Sequence, residues 1–443
     1  MRARLEPRTS GLRDSDTAKA AGLAGAMIAN NVVALVATVV FARLLTDYGS
    51  LGALISYFLI LAVVGQAMQV ATAREGVLGH LGVGHALIGT IRNWTRSLLL
   101  VTAVLTVLSV LLRDPIASAV GVHKYPWAAA LGIPAACLYV ELSVLRGALQ
   151  GVGDYKTVGF SLVGEQSVRL LTGAVLAVAL GVAGAYLGSI LSFIAMSVYC
   201  VRQLRRYAES YVPVPGRSVP QPNVSLWSFV RGALIPIAGL AVIAVLQNID
   251  IIAAKHRFTS EMATSYAAVA VAAKVLIWVA IGAGFYLVPE VSRRRAEGED
   301  TRPVLLRTLG IILVAAIPCL LIFAFGSHPL ISDVFGPKKA TAYTSLLPLG
   351  AAYTVLACTY LAVQYMLALK QTWFLLAIAV VAVAEPVLLL QAPRNPAGFA
   401  VVVLAIQTVG ALVVFALALR SSRVPRPSSI GVEPAWGPGR RPG

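Results

Sequence analysis

Hydrophobic runs, each of about 20 residues and so long enough to cross the ~30 Å hydrocarbon core of a bilayer as a helix, recur from end to end of this chain. Short polar turns separate the runs. The pattern predicts an all-α polytopic membrane protein with about twelve transmembrane helices. The expected spans are 21–45, 51–72, 95–112, 126–147, 156–180, 182–203, 228–254, 264–290, 304–325, 344–369, 372–391 and 397–420.

The two halves of the chain repeat one arrangement. In each half a long first span ends in a short basic turn and leads into a second span, at 39–56 and again at 251–271. Six spans per half give both halves the same orientation. They are therefore expected to form two six-helix bundles related by a pseudo-twofold axis along the membrane normal, as in many alternating-access carriers. The predicted domains are an N-terminal tail at 1–20, a bundle at 21–203, a connector at 204–227, a bundle at 228–420 and a disordered tail at 421–443.

The distribution of charge predicts the orientation of the chain in the membrane. Only 12% of the residues are charged and 58% are hydrophobic, with a mean hydropathy of +0.81. A net charge of +17 would point to a nucleic-acid partner in a soluble protein. Here most Lys and Arg residues lie in the loops on the side of the termini, which is typical of cytoplasmic segments. A multi-pass protein with both termini in the cytoplasm and no nucleic-acid partner is predicted.

The loops give no sign of enzyme chemistry. The glycine-rich segment 76–85 lacks the Lys-Ser/Thr ending of a phosphate-binding loop. The four cysteines show no metal-binding spacing. The sequence therefore predicts no catalytic residue, no metal site, no cofactor and no enzymatic activity.

Two pairs of ionisable residues lie inside predicted spans, where a charge costs ~2.5–3.5 kcal/mol on insertion scales. Glu165 and Arg169 stand an i,i+4 step apart in the fifth span. Asp250 in the seventh span and Lys274 in the eighth differ in depth by roughly 6 Å, which a lysine stem can reach across. Each pair can be an internal ion pair that holds helices together. Alternatively, Arg169 belongs to a cationic site for an anionic headgroup, and Asp250–Lys274 is a switchable pair in a water-filled cavity.

Other polar residues also fall inside the spans. Asn30 and Asn31 lie near the middle of the first span, and Asn248 precedes Asp250 by two positions. Glu385 is followed by Pro386, which should kink the eleventh span. Asparagines in spans form either packing contacts between helices or contacts to a ligand.

Two segments of the chain resemble those of a known family. Segment 145–191, which begins LRGALQGVGDYKTVGFSLVGEQSVRLL, is similar to the region from the fourth to the sixth span of polysaccharide repeat-unit flippases of the multidrug/oligosaccharidyl-lipid/polysaccharide (MATE-like) exporter superfamily. The family pattern there is filled by Arg146, Gln150, Tyr155, Glu165 and Arg169. Segment 246–275 resembles the hairpin of the seventh and eighth spans, with Asn248, Asp250 and Lys274 at recurrent positions.

The resemblance implies a V-shaped, MATE-like carrier in a bacterial cytoplasmic membrane. Its expected activity is to flip a polyprenyl-diphosphate-linked oligosaccharide from the inner to the outer leaflet by alternating access. Arg169 and Lys274 would bind the diphosphate, with Arg43 and Arg146 near the outer and inner mouths. The remaining expected substrate-binding residues are Asn30, Asn31 and Asn248, and the expected ion-coupling residues are Asp250, Glu165 and Glu385. The implied partners are the lipid-linked glycan, the bilayer, and glycosyltransferases or a polymerase of the same pathway.

Three other functions compete with this one. A MATE-like exporter of small cationic compounds, driven by protons or sodium, would need a net acidic cavity rather than a basic one. A lipid II-type flippase typically carries helices beyond twelve, which the hydropathy pattern lacks. A scaffold that transports nothing would tolerate the loss of both Arg169 and Lys274.

Overall fold

The computed structural model describes residues 16–211, 225–369 and 371–421, and within these ranges the chain is helical, without strands. The predicted tails and connector at 1–20, 204–227 and 421–443 lie largely outside the described residues. The N-terminal half, here called the N-bundle, forms α1 (Asp16–Leu44), α2 (Tyr48–Val77), α3 (His85–Leu111), α4 (Arg113–Val120), α5 (Pro126–Ala130), α6 (Gly132–Gly151) and α7 (Tyr155–Ser210).

The C-terminal half, here called the C-bundle, continues with eight helices. These are α8 (Leu226–Arg257), α9 (Ser260–Ala273), α10 (Val275–Ala296), α11 (Arg302–Phe325), α12 (Ser327–Phe335), α13 (Leu346–Ala368), α14 (Phe374–Gln391) and α15 (Pro396–Ser421). Short 3-10 turns at Pro337–Lys339 and Tyr343–Ser345 connect α12 to α13. Helices α9 and α10 follow each other directly and make up one crossing.

Eleven segments of the described chain are long and apolar enough to cross a membrane, and α7, with 56 residues, accounts for two crossings. Its chain reverses at Gly181, which adopts φ 57° and ψ −133°. The two arms then pack closely, since a Cβ built on Gly188 would lie 2.4 Å from the Cα of Gly173. The prediction of about twelve crossings, with a turn between 156–180 and 182–203, is therefore confirmed.

The alternating crossings place the connections between helices on two faces. We call the face with Asp16 and Ser421 proximal, and the face with the α1–α2 and α8–α9 connections distal. Helices α2 and α9 both begin at the distal face behind a capping side chain. Asp47 and Thr259 each accept a hydrogen bond from a backbone N–H three residues further on, which satisfies a free donor of the first helical turn.

The two bundles hold each other reciprocally at the distal face. Arg43, at the end of α1, donates to the backbone carbonyls of Val334, at 2.9 Å, and Asp333, both on α12. His256, at the end of α8, forms a hydrogen bond of 2.9 Å with the carbonyl of Ala119 on α4. Helices α1 and α8 are the first helices of their bundles, and α4 and α12 each follow the third crossing of their bundle. This exchange of equivalent contacts is what a pseudo-twofold axis between the bundles produces.

Two lysines complete these contacts. The Lys255 Nζ lies 2.9 Å from an Asp47 carboxylate oxygen, and Lys339 donates to the carbonyls of Ala42 and Leu45. We call the contacts made by Arg43, Asp47, Lys255, His256 and Lys339 the distal clasp. Near the proximal face the bundles touch through apolar rings instead, with Trp94 and Phe229 centroids 4.8 Å apart.

Replacement of Gly181 by alanine should lower the stability of the protein by about 1–3 kcal/mol, because a residue with a Cβ is strained at this φ and ψ. The measurement is thermal unfolding of the purified protein in detergent. Gly89→Ala on α3 is the matched control, since an added Cβ meets no atom within 4 Å at either position. Equal melting temperatures for the two variants would contradict the assigned reversal.

Candidate functional site

A buried ion pair joins α6 to α7 in the N-bundle. Arg146 is wholly buried, and its Nη1 lies 2.8 Å from a Glu165 carboxylate oxygen. The same guanidinium donates to the Ser161 hydroxyl at 2.7 Å and to the Ser161 carbonyl at 2.8 Å. Glu165 is therefore paired with Arg146, and of the two alternatives for Glu165 and Arg169 the ion pair between them is not the one that the structure forms. Arg146 is wholly buried and cannot be solvated by water, whereas Arg169 is only half-buried. The positive charge of Arg146 therefore needs the Glu165 carboxylate more than the charge of Arg169 does.

Arg169 is left as a cation with an unused donor. Its Nε is buried and has no hydrogen-bond partner among the described residues. Glu165, Tyr48 and Tyr186 are the groups that interact with it electrostatically. The Tyr186 hydroxyl is also buried without a partner in the described chain. Buried donors are almost always satisfied in folded proteins, so this cluster can accept an anionic or hydrogen-bond-accepting ligand.

Asp250 of α8 is wholly buried in the C-bundle, where its nearest partners are neutral. One carboxylate oxygen accepts hydrogen bonds from the hydroxyls of Tyr266 on α9, at 3.1 Å, and Tyr353 on α13, at 2.8 Å. The other oxygen has no partner among the described residues. The free oxygen is an acceptor that a proton or a hydrogen-bond donor could occupy.

Lys274 lies at the junction between α9 and α10, where the eighth crossing is interrupted. Its Nζ donates to the Asn248 side-chain oxygen at 3.1 Å and lies 5.5 Å from the centroid of the Tyr353 ring, within cation–π range. No direct ion pair with Asp250 forms in the described part of the chain, so the alternative of an internal ion pair between the two is not the one that the structure forms. Tyr353 separates the two charges, with its ring beside the amine and its hydroxyl on the carboxylate.

A second buried carboxylate lies in the same bundle. Glu385 on α14 is wholly buried and accepts hydrogen bonds from the Gln407 amide of α15 at 3.1 Å and 3.3 Å. The same amide also donates to the Leu246 carbonyl at 3.1 Å. The C-bundle therefore combines two carboxylates, Asp250 and Glu385, with the single amine of Lys274 in its buried polar cluster.

The remaining predicted site residues lie elsewhere. Asn30 and Asn31 are half-buried on α1, where one side chain donates to the other at 3.2 Å. Arg43 is part of the distal clasp. The structure thus brings Asn248, Lys274 and Asp250 together in the C-bundle and Arg146 and Glu165 together in the N-bundle.

Sequence reasoning did not single out several buried polar residues. Glu141, in the predicted span 126–147, is buried on α6, although a carboxylate inside an apolar span is itself a signal. Tyr266, Tyr353 and Gln407 gave a weaker signal, because tyrosine and glutamine also occur in spans as packing residues. Their role follows only from the helices that surround Asp250 and Glu385.

The chemistry of these clusters is that of binding. Among the described residues no group of three or more His, Cys, Asp and Glu side chains could hold a metal ion. The clusters supply buried charges and hydroxyl groups in each bundle, and Asp250 in the C-bundle keeps one carboxylate oxygen without a partner among the described residues. Such groups can recognise charged cargo and exchange protons or small cations.

No family model matches the sequence, and no curated protein matches it. Solved structures match its fold. The lipid II flippase MurJ in an inward closed conformation has a TM-score of 0.69 at 14% identity, covering 90% of this chain and 88% of that one. An inward-facing multidrug resistance MATE family transporter of the MOP superfamily has a TM-score of 0.64 at 13% identity, with coverages of 89% and 94%.

A third similar structure is a MOP superfamily transporter from Pyrococcus furiosus, described as having a binding pocket of reverse polarity that suggests a different function. Its TM-score is 0.57 at 16% identity, with 94% of this chain and 99% of that chain covered. The likeness to these transporters confirms the predicted V-shaped, MATE-like fold of two six-helix bundles. The three similar structures are of transporters.

Arg146→Met should lower the stability of the protein by about 3–5 kcal/mol, because it leaves Glu165 as a buried charge without its partner. The double variant Arg146→Met/Glu165→Met should recover most of this loss, since both charges are then removed. Thermal unfolding in detergent measures both changes.

The control is Arg293→Met. Arg293 also pairs with a glutamate, Glu290, but its side chain is 53% exposed, so little change is expected. A double variant no more stable than Arg146→Met alone would show that the ion pair does not account for the role of Arg146.

Proposed function

We propose that this protein is a flippase that moves a polyprenyl-diphosphate-linked oligosaccharide from the inner to the outer leaflet of a bacterial cytoplasmic membrane by alternating access. One observation carries the proposal. Arg169 keeps a buried Nε donor free, because the carboxylate one helical turn away is already bound to Arg146. A guanidinium with free donors suits the planar, paired hydrogen bonding that phosphate groups accept.

Lys274 supports the same cargo class from the other bundle. It is buried, and the side chain that accepts its hydrogen bond is the neutral Asn248 rather than a carboxylate. One cation in each bundle suits a diphosphate that is held between the bundles as they rock. The lipid tail would remain in the bilayer during this movement.

Asp250 and Glu385 are proposed as the ion-coupling residues. Both carboxylates are wholly buried and hydrogen-bonded to neutral groups, so uptake of a proton or a small cation would relieve an uncompensated charge. Glu165 was expected in the same role. Its carboxylate is bound to Arg146, and protonation there would have to break a buried ion pair. The coupling ion is therefore assigned to the C-bundle.

The orientation follows from the charge distribution, with the proximal face in the cytoplasm. The distal clasp then closes the outer face, which corresponds to the cargo-loading half of an alternating-access cycle. Arg43 is engaged in the clasp and Arg146 is wholly buried, so gating and structural roles fit them better than contact with cargo. Glycosyltransferases or a polymerase that make or use the glycan are the proposed protein partners.

A second candidate is a MATE-like exporter of small cations, coupled to protons or sodium. The buried polar cluster of the C-bundle favours it, because Asp250 and Glu385 outnumber the amine of Lys274. A lipid II-type flippase is a variant of the first proposal, since its cargo is also a polyprenyl diphosphate. The charge of the cargo distinguishes the exporter, which would carry a cation, from the flippases, which would carry an anionic diphosphate.

Arg169→Gln and Lys274→Gln should each reduce flipping by about tenfold or more, as expected for the loss of a charged hydrogen bond. The assay follows a fluorescent polyprenyl-diphosphate sugar in proteoliposomes. Arg202→Gln, at an exposed position of α7, is the matched control and should flip normally. If both site variants flip normally while Asp250→Asn abolishes efflux of an organic cation, the exporter is correct and the flippase proposal is wrong.

Asp250→Asn should alter transport more than Asn30→Ala does. Asp250 is a buried carboxylate with a free oxygen, whereas Asn30 is half-buried and bonded to the neighbouring Asn31. Initial flipping rates with and without an imposed proton or sodium gradient measure the difference. Equal or reversed effects would remove Asp250 from the coupling site.

A further inference from the structure

Three consecutive residues connect the distal clasp with the interior of the N-bundle. Asp47 and Gly49 both contact the C-bundle. Tyr48, between them, is only 2% exposed and interacts electrostatically with Arg169. The first turn of α2 therefore contacts the C-bundle and carries a buried phenol within electrostatic range of Arg169.

The Asp47 carboxylate both caps α2 and holds the C-bundle. One oxygen accepts from the Ser50 N–H at 3.2 Å and from Lys255 at 2.9 Å, and the other accepts from the Ser50 hydroxyl at 2.7 Å. Burial raises the pKa of Asp47, but the hydrogen bonds from Lys255 and Ser50 outweigh burial and hold this pKa below its ordinary value. Asp47 is thus charged at neutral pH, and its ion pair depends on the position of the first turn.

Gly49 provides a second contact between the same turn and the C-bundle. Its N–H donates to the Thr264 hydroxyl of α9 at 3.0 Å. A Cβ at Gly49 would lie only 2.9 Å from the Thr264 backbone nitrogen, so the two helices touch backbone to backbone. A shift of the α2 turn must therefore disturb the contact with α9.

The groups around Arg169 can donate hydrogen bonds that they do not make. The Arg169 Nε and the Tyr186 hydroxyl are buried without partners, and the Tyr48 hydroxyl makes no hydrogen bond to any residue that the structure describes. A guanidinium and two phenols form a set of donors without a strong acceptor. A diphosphate supplies several acceptor oxygens at once.

We propose that Tyr48 couples the binding of an anion at Arg169 to the opening of the distal clasp. The inference rests on the proposed function, because it needs an anionic headgroup at Arg169. The anion draws the Tyr48 hydroxyl toward it and displaces the first turn of α2. Asp47 and Gly49 move with this turn, and their bonds to the C-bundle weaken.

The coupling satisfies a thermodynamic requirement of transport. A ligand shifts a conformational equilibrium only as far as its affinities for the two states differ. Tyr48 supplies such a difference, since its hydroxyl reaches the anion fully only when the turn has moved. The clasp then opens when cargo is bound and stays closed when the site is empty.

The test is a distance measurement across the distal face of the full-length protein in lipid nanodiscs. Spin labels are placed at Ser118 on α4 and Lys338 beyond α12, two exposed positions, in a background in which the four native cysteines are replaced by alanine. Inorganic pyrophosphate and farnesyl diphosphate are the probes, for the free and the lipid-linked anion. Both should lengthen the Ser118–Lys338 distance in the parent protein.

Tyr48→Phe should bind pyrophosphate with an affinity reduced by less than about tenfold, as for one neutral hydrogen bond, while the lengthening is lost. Tyr199→Phe, which removes the hydroxyl of a tyrosine on a different helix, α7, is the matched control and should respond like the parent. Asp47→Asn should lengthen the distance without any anion, because it removes the charge that Lys255 binds.

The outcomes separate the coupling from the function on which it rests. Full lengthening in Tyr48→Phe would overturn the coupling and leave the flippase proposal intact. Complete loss of pyrophosphate binding in Tyr48→Phe would also overturn it, because Tyr48 would then be a ligand rather than a link. Unchanged pyrophosphate binding in Arg169→Gln would instead remove the anion site itself.

Discussion

The need to neutralise charge inside an apolar bundle organises this protein. Arg146 has no route to solvent, so its guanidinium takes Glu165 and both oxygens of Ser161, and this contact joins α6 to α7. Because one carboxylate can fully compensate only one such cation, Arg169 keeps a free donor. The structural pair and the candidate binding site are thus two consequences of the same local shortage of negative charge.

The C-bundle must also neutralise buried charge, but there negative charges outnumber positive ones. Asp250 and Glu385 are buried together with the single amine of Lys274, and hydroxyl and amide groups take the place of further cations. Neutral donors lower the cost of a buried carboxylate without abolishing its charge. This difference underlies the proposed roles, a proton or small cation bound in the C-bundle and an anion bound at Arg169.

The sequence predicts the fold well because each membrane-crossing helix is a continuous apolar run that can be recognised from the chain alone. The two arms of α7, with their turn at Gly181, follow directly from the gap between two apolar runs. Partners across helices depend on how each helix is rotated, which the pattern does not encode. An i,i+4 spacing favoured Arg169 as the partner of Glu165, but the packing of α6 on α7 presents Arg146 instead. Tyr353 could not be predicted as a partner of Asp250 for the same reason, since it lies about a hundred residues away in the chain and contacts Asp250 only through helix packing.

The two bundles are related by the pseudo-twofold axis in their contacts at the distal face, but their buried charged residues do not correspond. One explanation accounts for both the similarity and the difference. Arg43 and His256 bind backbone carbonyls, which every sequence supplies, so the reciprocal contacts need only one suitable side chain on each side. Ion pairs inside the bundles need matched side chains on two helices. The two halves can therefore share a clasp and still differ in the charged groups that they bury. In the proposed function, an anion site in one bundle and a cation site in the other would keep cargo and coupling ion apart, so that one conformational change responds to both.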